Sequence, residues 1–393
     1  MIFWKFLKKH NVLLLLLFLG CWRYGSDFWV TKWAVLSFGV AFFIGFWVRK
    51  GLKSTPAGLW TTWTLWSGIW VFTWPDSFYQ FLKPHVRENI EFATCSSTFT
   101  FVLLLLLLAG LNSKTTNKLL KAFGNLNWIS ASLVLLHFLR GKMTPFSTGG
   151  FFDQGSMEGC FIAITYPLSV CPPCMTLEGN SKWKWFVTFY QVLTPLIAIF
   201  LLIAKAGASQ PIGVIAGIYI VHLFMRKEFS WFQKGVFAFL GLSFAASVGT
   251  LLEPKFFFAS DRIGLYKIAL RFLNREWQFL LHGMGNGSYL IWGPLLQTDA
   301  NYLVGNGNWM VWLHSDFLQT LFEQGIIGLI LCLWTGIQAF FRKWKTEESY
   351  LALSLLGFGL TMIFNMPFHY SMHAFLGLFL LMICLRPRPI VSL

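Results

Sequence analysis

The chain has 393 residues, of which 56% are hydrophobic and only 12% charged, and it carries a formal net charge of +15. A soluble domain of this size could not keep so much apolar surface from water, which excludes an ordinary soluble enzyme and makes the bilayer the expected solvent. The basic excess does not indicate nucleic acid, because the lysines and arginines sit between apolar segments, where they act as topology signals and contacts to anionic lipid.

Crossing a bilayer takes about 20 mostly apolar residues, and the chain offers roughly a dozen such stretches. They fall near 11–24, 32–48, 57–74, 92–111, 122–138, 158–172, 185–205, 211–225, 235–252, 323–341, 350–366 and 372–385. The first follows a basic start but lacks a small-residue cleavage site, so it is expected to remain as a span. Aromatic belts at the interfaces account for the 43 phenylalanines and 20 tryptophans. The expected fold is therefore an all-α polytopic membrane protein, 1–393 forming one membrane domain.

Lysine and arginine alternate between connections. Lys5, Lys8 and Lys9, then Arg49, Lys50 and Lys53, then Lys114, Lys118 and Lys121 begin one set, and Arg342, Lys343, Lys345, Arg386 and Arg388 end it. By the positive-inside rule this set is cytoplasmic, as are both termini. Cys171-Pro172-Pro173-Cys174 then falls near the cytoplasmic face, where thiols stay reduced, and reads as two incidental thiols at a proline-broken helix end. Two segments stand out on the opposite side, about 139–157 and 252–322, and loops this long in a compact protein are usually functional.

Residues 261–280 of the longer loop read as an amphipathic helix with Ser260 or Asp261 at its start. Lys267, Arg271 and Arg275 share one stripe, as on a solvated or headgroup face. Arg262 instead projects with Tyr266, Ala269 and Leu273 toward the membrane domain. In the first turn, where free amides favour anions, it is a candidate phosphate ligand, or else half of an ion pair with Asp261 or Glu253. His282-Gly283-Met284-Gly285-Asn286-Gly287 reads as a tight turn exposing backbone amides. His314 lies just before a helix capped by Ser315 or Asp316, and an imidazole there can take a proton from a hydroxyl or serve only as an interfacial hydrogen-bonding group. His137 reads as structural. His369 and His373 have the i, i+4 spacing of a metal pair but not the intervening glutamate of a zinc-protease motif.

His314, Ser315, Leu318, Leu321, Glu323, Gly325, Gly328 and Leu329 resemble the H-[NS]-x-x-L-x-x-L-x-E-x-G-x-x-G-L signature of the O-antigen ligase and polymerase family. Arg262 with the Gly283-Met284-Gly285 turn, and Gly149–Gly159, are similar to its other outer-loop features, so the resemblance runs over about 140–385. It implies a bacterial inner-membrane glycosyltransferase that moves a glycan from undecaprenyl diphosphate to a sugar hydroxyl of lipid A-core at the periplasmic face. The reaction would proceed with inversion and without metal or other cofactor. His314 would be the catalytic base, Ser315, Glu323 and Gly325 would support it, and Arg262 would bind the donor diphosphate. Where the family carries a second arginine this chain has Gln210, leaving Lys205 or Arg140 to supply that charge. Lys205 also fits a snorkelling residue at a span end. A polymerase of the same family shares the donor chemistry. A transporter or flippase is suggested by the number of spans alone, but the ionisable residues avoid the span centres.

Overall fold

The computed structural model describes residues 113–144, 147–152, 154–170, 181–208, 210–225, 229–252, 260–275, 277–285, 288–300, 313–344, 346–369 and 371–385. The four spans expected before residue 112, the Cys171–Cys174 pair, the chain termini, and the side chains of Glu253 and Asp261 lie outside the described residues.

Among the described residues the protein is all helical, with no named strand. In chain order the α-helices are α1 (Ser113–Leu139), α2 (Gly155–Ser169), α3 (Ser181–Ala206), α4 (Gln210–Met225), α5 (Trp231–Leu252), α6 (Ser260–Arg275), α7 (Trp277–His282), α8 (Tyr289–Asp299), α9 (Asp316–Trp344), α10 (Ser349–Phe364) and α11 (Ser371–Leu385). Segments Thr116–Leu139, Phe189–Ala206 and Asp316–Trp344 are long and apolar enough to cross a membrane, and Gln210–Met225, Ser349–Ile363 and Met372–Leu385 are shorter apolar helices. The protein is thus helical and of membrane character.

Helix α2 is the pillar. Met157, Cys160, Phe161, Ile162, Ala163 and Ile164 are fully buried, on all sides of the helix. A helix apolar all round belongs inside a bundle, and α1, α3, α4 and α10 surround this one. One end of that bundle collects the features that matter. Gly155 leaves room for Ala206 and Ala208, and Gly159 leaves room for Pro211, so the α3–α4 corner closes on the first turns of α2. Fully buried Glu158, in the first turn of α2, accepts hydrogen bonds from the Ser130 hydroxyl and from the backbone N–H of Phe152 (2.6 Å). A carboxylate at a helix N-terminus is favoured by the free amides there, and this one ties the 148–152 loop down.

His137 bonds the Ser147 hydroxyl at 3.1 Å, and its ring fills the space a side chain at Gly149 would need. His373 lies inside the bundle with its Nε2 3.1 Å from the Met157 carbonyl, and its ring packs 4.6 Å from that of Phe152. Both histidines fasten this end of the bundle together.

Candidate functional site

The region of α6, α7 and the start of α9 is built around Gly283 and Gly325. Helix α6 buries Leu265, Ala269 and Leu273 against Phe279, Met284, Tyr289 and Phe322, while Lys267, Arg271 and Arg275 are exposed. Arg262 is in the first turn of α6 and is partly buried. The described residues of the expected helix over 261–280 are helical, as α6 and the short α7, and residue 276 between them lies outside the described residues. Beyond α7 the chain turns through Gly283 (φ 80°) and Gly285 (φ 97°).

Among the described residues of this turn, 283–285, the amides are not exposed, contrary to the sequence-based expectation. Gly283 N–H donates to Phe279 (2.7 Å), Met284 N–H to the carbonyl of Phe322 (2.9 Å) and Gly285 N–H to that of Glu323 (2.7 Å). The acceptors in α9 are some 40 residues away in sequence, so nothing local announced them. They are available because α9 is interrupted at Gly325 (φ 68°, ψ −173°). That conformation is essentially reserved for glycine. A side chain at Gly325 would also overlap the backbone of Leu281 and His282, and one at Gly283 would overlap that of Glu323 and Gln324. The two glycines thus let two backbones touch. Gly328 completes the joint, since the Gln324 side chain lies where its Cβ would be.

The first limb of α9, before the break, presents His314. It has φ 53°, the only positive value at a non-glycine residue among those described. Such a conformation costs of order 1–3 kcal/mol and persists only where its surroundings impose it. Here they do. Glu323 accepts a hydrogen bond from the Gln319 side-chain Nε2 (2.9 Å), and the Gln319 Oε1 accepts one from the backbone N–H of Leu313 (3.4 Å). On the other side, the Tyr266 hydroxyl donates to the carbonyl of His314 (3.3 Å). Ser315 is the cap: its Oγ accepts from Leu318 N–H (3.4 Å) and donates to the Met362 carbonyl (3.3 Å). Asp316 does not cap. Its N–H donates to Asn365 (3.1 Å) and its carboxylate receives Phe368 N–H (2.7 Å), which fixes the α10–α11 turn.

Arg262 lies one helical turn before Tyr266 on the same face of α6. Its guanidinium acts electrostatically on the Tyr266 phenol, one helical turn along, and on the Cys160 thiol of α2. Cys160 in turn adjoins Thr361 and Asn365 of the α10 end. Burial pushes the Tyr266 phenol above its usual range, with the Arg262 charge pulling partly the other way. The hydroxyl therefore stays protonated, and a donor, around neutral pH. Tyr266 thus links α6 to His314, and the Arg262 charge is felt in the first turns of α2.

The remaining candidates are placed differently. Lys205 is exposed in the last turn of α3 and Arg140 is exposed just past α1. Gln210 opens α4, beside the Pro211 that packs on Gly159, and its buried Oε1 has no hydrogen-bond partner among the described residues. Glu323 and Gly325 hold backbone in place. Two contributors were given no role in the sequence. Helical spacing places Tyr266 on the Arg262 face at i+4 without showing its bond to His314, whereas Gln319 gave no signal beyond helical spacing. No protein-family model and no curated protein matches the chain.

Proposed function

We propose that the protein is an O-antigen ligase-like glycosyltransferase, moving a glycan from undecaprenyl diphosphate to a sugar hydroxyl of lipid A-core at the periplasmic face of the bacterial inner membrane. The observation that carries this reading is the bond from Tyr266, one turn after Arg262, to the backbone of His314. It couples the candidate cation for the leaving group to the candidate base for the nucleophile.

In this mechanism His314 takes the proton of the acceptor hydroxyl as that oxygen attacks the anomeric carbon. The bond from that carbon to the diphosphate oxygen breaks on the opposite face, inverting the centre. The diphosphate leaves with its negative charge stabilised by Arg262. Lys205 or Arg140 supplies further positive charge as the donor arrives, in the role the family gives to a second arginine. Gln210, a neutral amide, can offer that donor only a hydrogen bond.

The test is complementation of a deletion strain with His314→Ala, read by electrophoresis of its lipopolysaccharide, with immunoblotting to show normal protein levels. The expected result is lipid A-core without attached long chains, which accumulate on the lipid carrier. Unchanged attachment would remove His314 from catalysis. A core capped by a single repeat would instead assign the protein to the polymerase branch, whose acceptor is another lipid-linked glycan.

A further inference from the structure

Helix α6 has a second apolar feature besides its buried stripe. Ile263 and Leu270 are exposed on the flank next to Lys267, so the outward arc runs from two aliphatic residues through Lys267 and Arg271 to Arg275. Exposed Leu281 and Trp277, the latter at 71% exposure, continue the apolar edge along α7. An amphipathic segment whose buried face is already satisfied has no packing reason to carry this edge.

The depth of the segment comes from its joint with α9. Leu281 and His282 touch Gly325, and the outward apolar stripe of α9 starts at the next residue, with Ile326, Ile330, Leu333, Trp334, Ile337 and Phe341 all exposed. That stripe needs hydrocarbon around it, so its first residue marks where the chain enters the bilayer. The α6–α7 edge therefore arrives at the headgroup layer, where tryptophan is favoured and where lysine and arginine reach phosphate while their stems cover apolar surface.

We propose that α6–α7 is an in-plane interfacial segment seated on anionic phospholipid. Ile263, Leu270, Trp277 and Leu281 dip into the acyl boundary, and Lys267, Arg271 and Arg275 contact lipid phosphates. The seat sets the depth of the first turn of α6, and so of Arg262. It does not depend on the transferase reading and stands or falls separately from it.

The test uses the full chain in nanodiscs containing photoreactive phosphatidylglycerol or photoreactive phosphatidylcholine, with adducts mapped by mass spectrometry. The expected result is adducts within 263–281 that favour the anionic probe by about fivefold, in keeping with the attraction of several basic residues to an anionic surface. The combined variant Lys267→Gln, Arg271→Gln, Arg275→Gln is expected to lose that preference while its thermal melting stays unchanged. Equal labelling by both probes, or no adducts in the segment, overturns the proposal. The second outcome would leave the basic stripe to water or to an acidic polypeptide.

Discussion

The two limbs of α9 are held in contrasting ways. At the Gly325 joint, two backbones lie in contact, with three glycines at positive φ and hydrogen bonds of 2.7 and 2.9 Å from the Gly283–Gly285 turn. At His314, a strained backbone is held by single bonds of 3.3 and 3.4 Å from surrounding side chains. The first region is rigid because nothing larger than hydrogen fits. The second is positioned by groups that can be changed one at a time without collapsing the fold. Within one sequence motif, Gly325 and Gly328 build the joint, Glu323 connects the joint to the strained turn through Gln319, and His314 is what the arrangement presents.

The contrast is broken most directly at the joint. Gly325→Val puts a branched side chain at φ 68° and into the backbone of Leu281 and His282. The expected loss is about 3 kcal/mol or more, combining backbone strain with overpacking, and it would appear as a collapse of the monodisperse peak in detergent size-exclusion chromatography. A stable, well-behaved Gly325→Val protein would mean that the joint is looser than its geometry implies.

The contrast is sharpened by a smaller change at the other limb. Tyr266→Phe removes one hydroxyl and its 3.3 Å bond to His314, at an expected cost of about 1 kcal/mol or less in stability. Its effect should fall on kcat, several-fold, with the KM for donor unchanged, because the residue positions His314 rather than binding substrate. A purely structural role would lower the melting temperature and leave kcat per folded molecule intact.

Much of this was legible in the sequence. Helical periodicity separated Lys267, Arg271 and Arg275 from Tyr266, Ala269 and Leu273, because burial of a helix face follows its 100° step. The apolar stretch near 350–366 matches α10 to within two residues, because Glu347 and Glu348 precede it and Pro367 follows it. What escaped was long-range. The helix start at Ser315 or Asp316 was legible, but the stretch 323–341 reads as one span and the sequence does not show that the helix is interrupted at Gly325, since a glycine in an apolar helix is ordinary until another backbone lies against it. The amides of the Gly283–Gly285 turn were misjudged for the same reason. Asp316 was a candidate cap because caps are local, but its actual partner, Phe368, is 52 residues away.

The central claim is that Arg262 and His314 serve one reaction at one site. It is tested most directly by turnover of diphosphate-linked glycan by the purified full chain in bilayers, comparing Arg262→Ala, His314→Ala and the double variant. Loss of a general base or of a charge-stabilising group should each slow turnover by about 100-fold or more. Groups that act as a unit are far from additive, so the double variant should be about as slow as the slower single one. Wild-type turnover in either single variant, or losses that simply multiply in the double, would contradict the account.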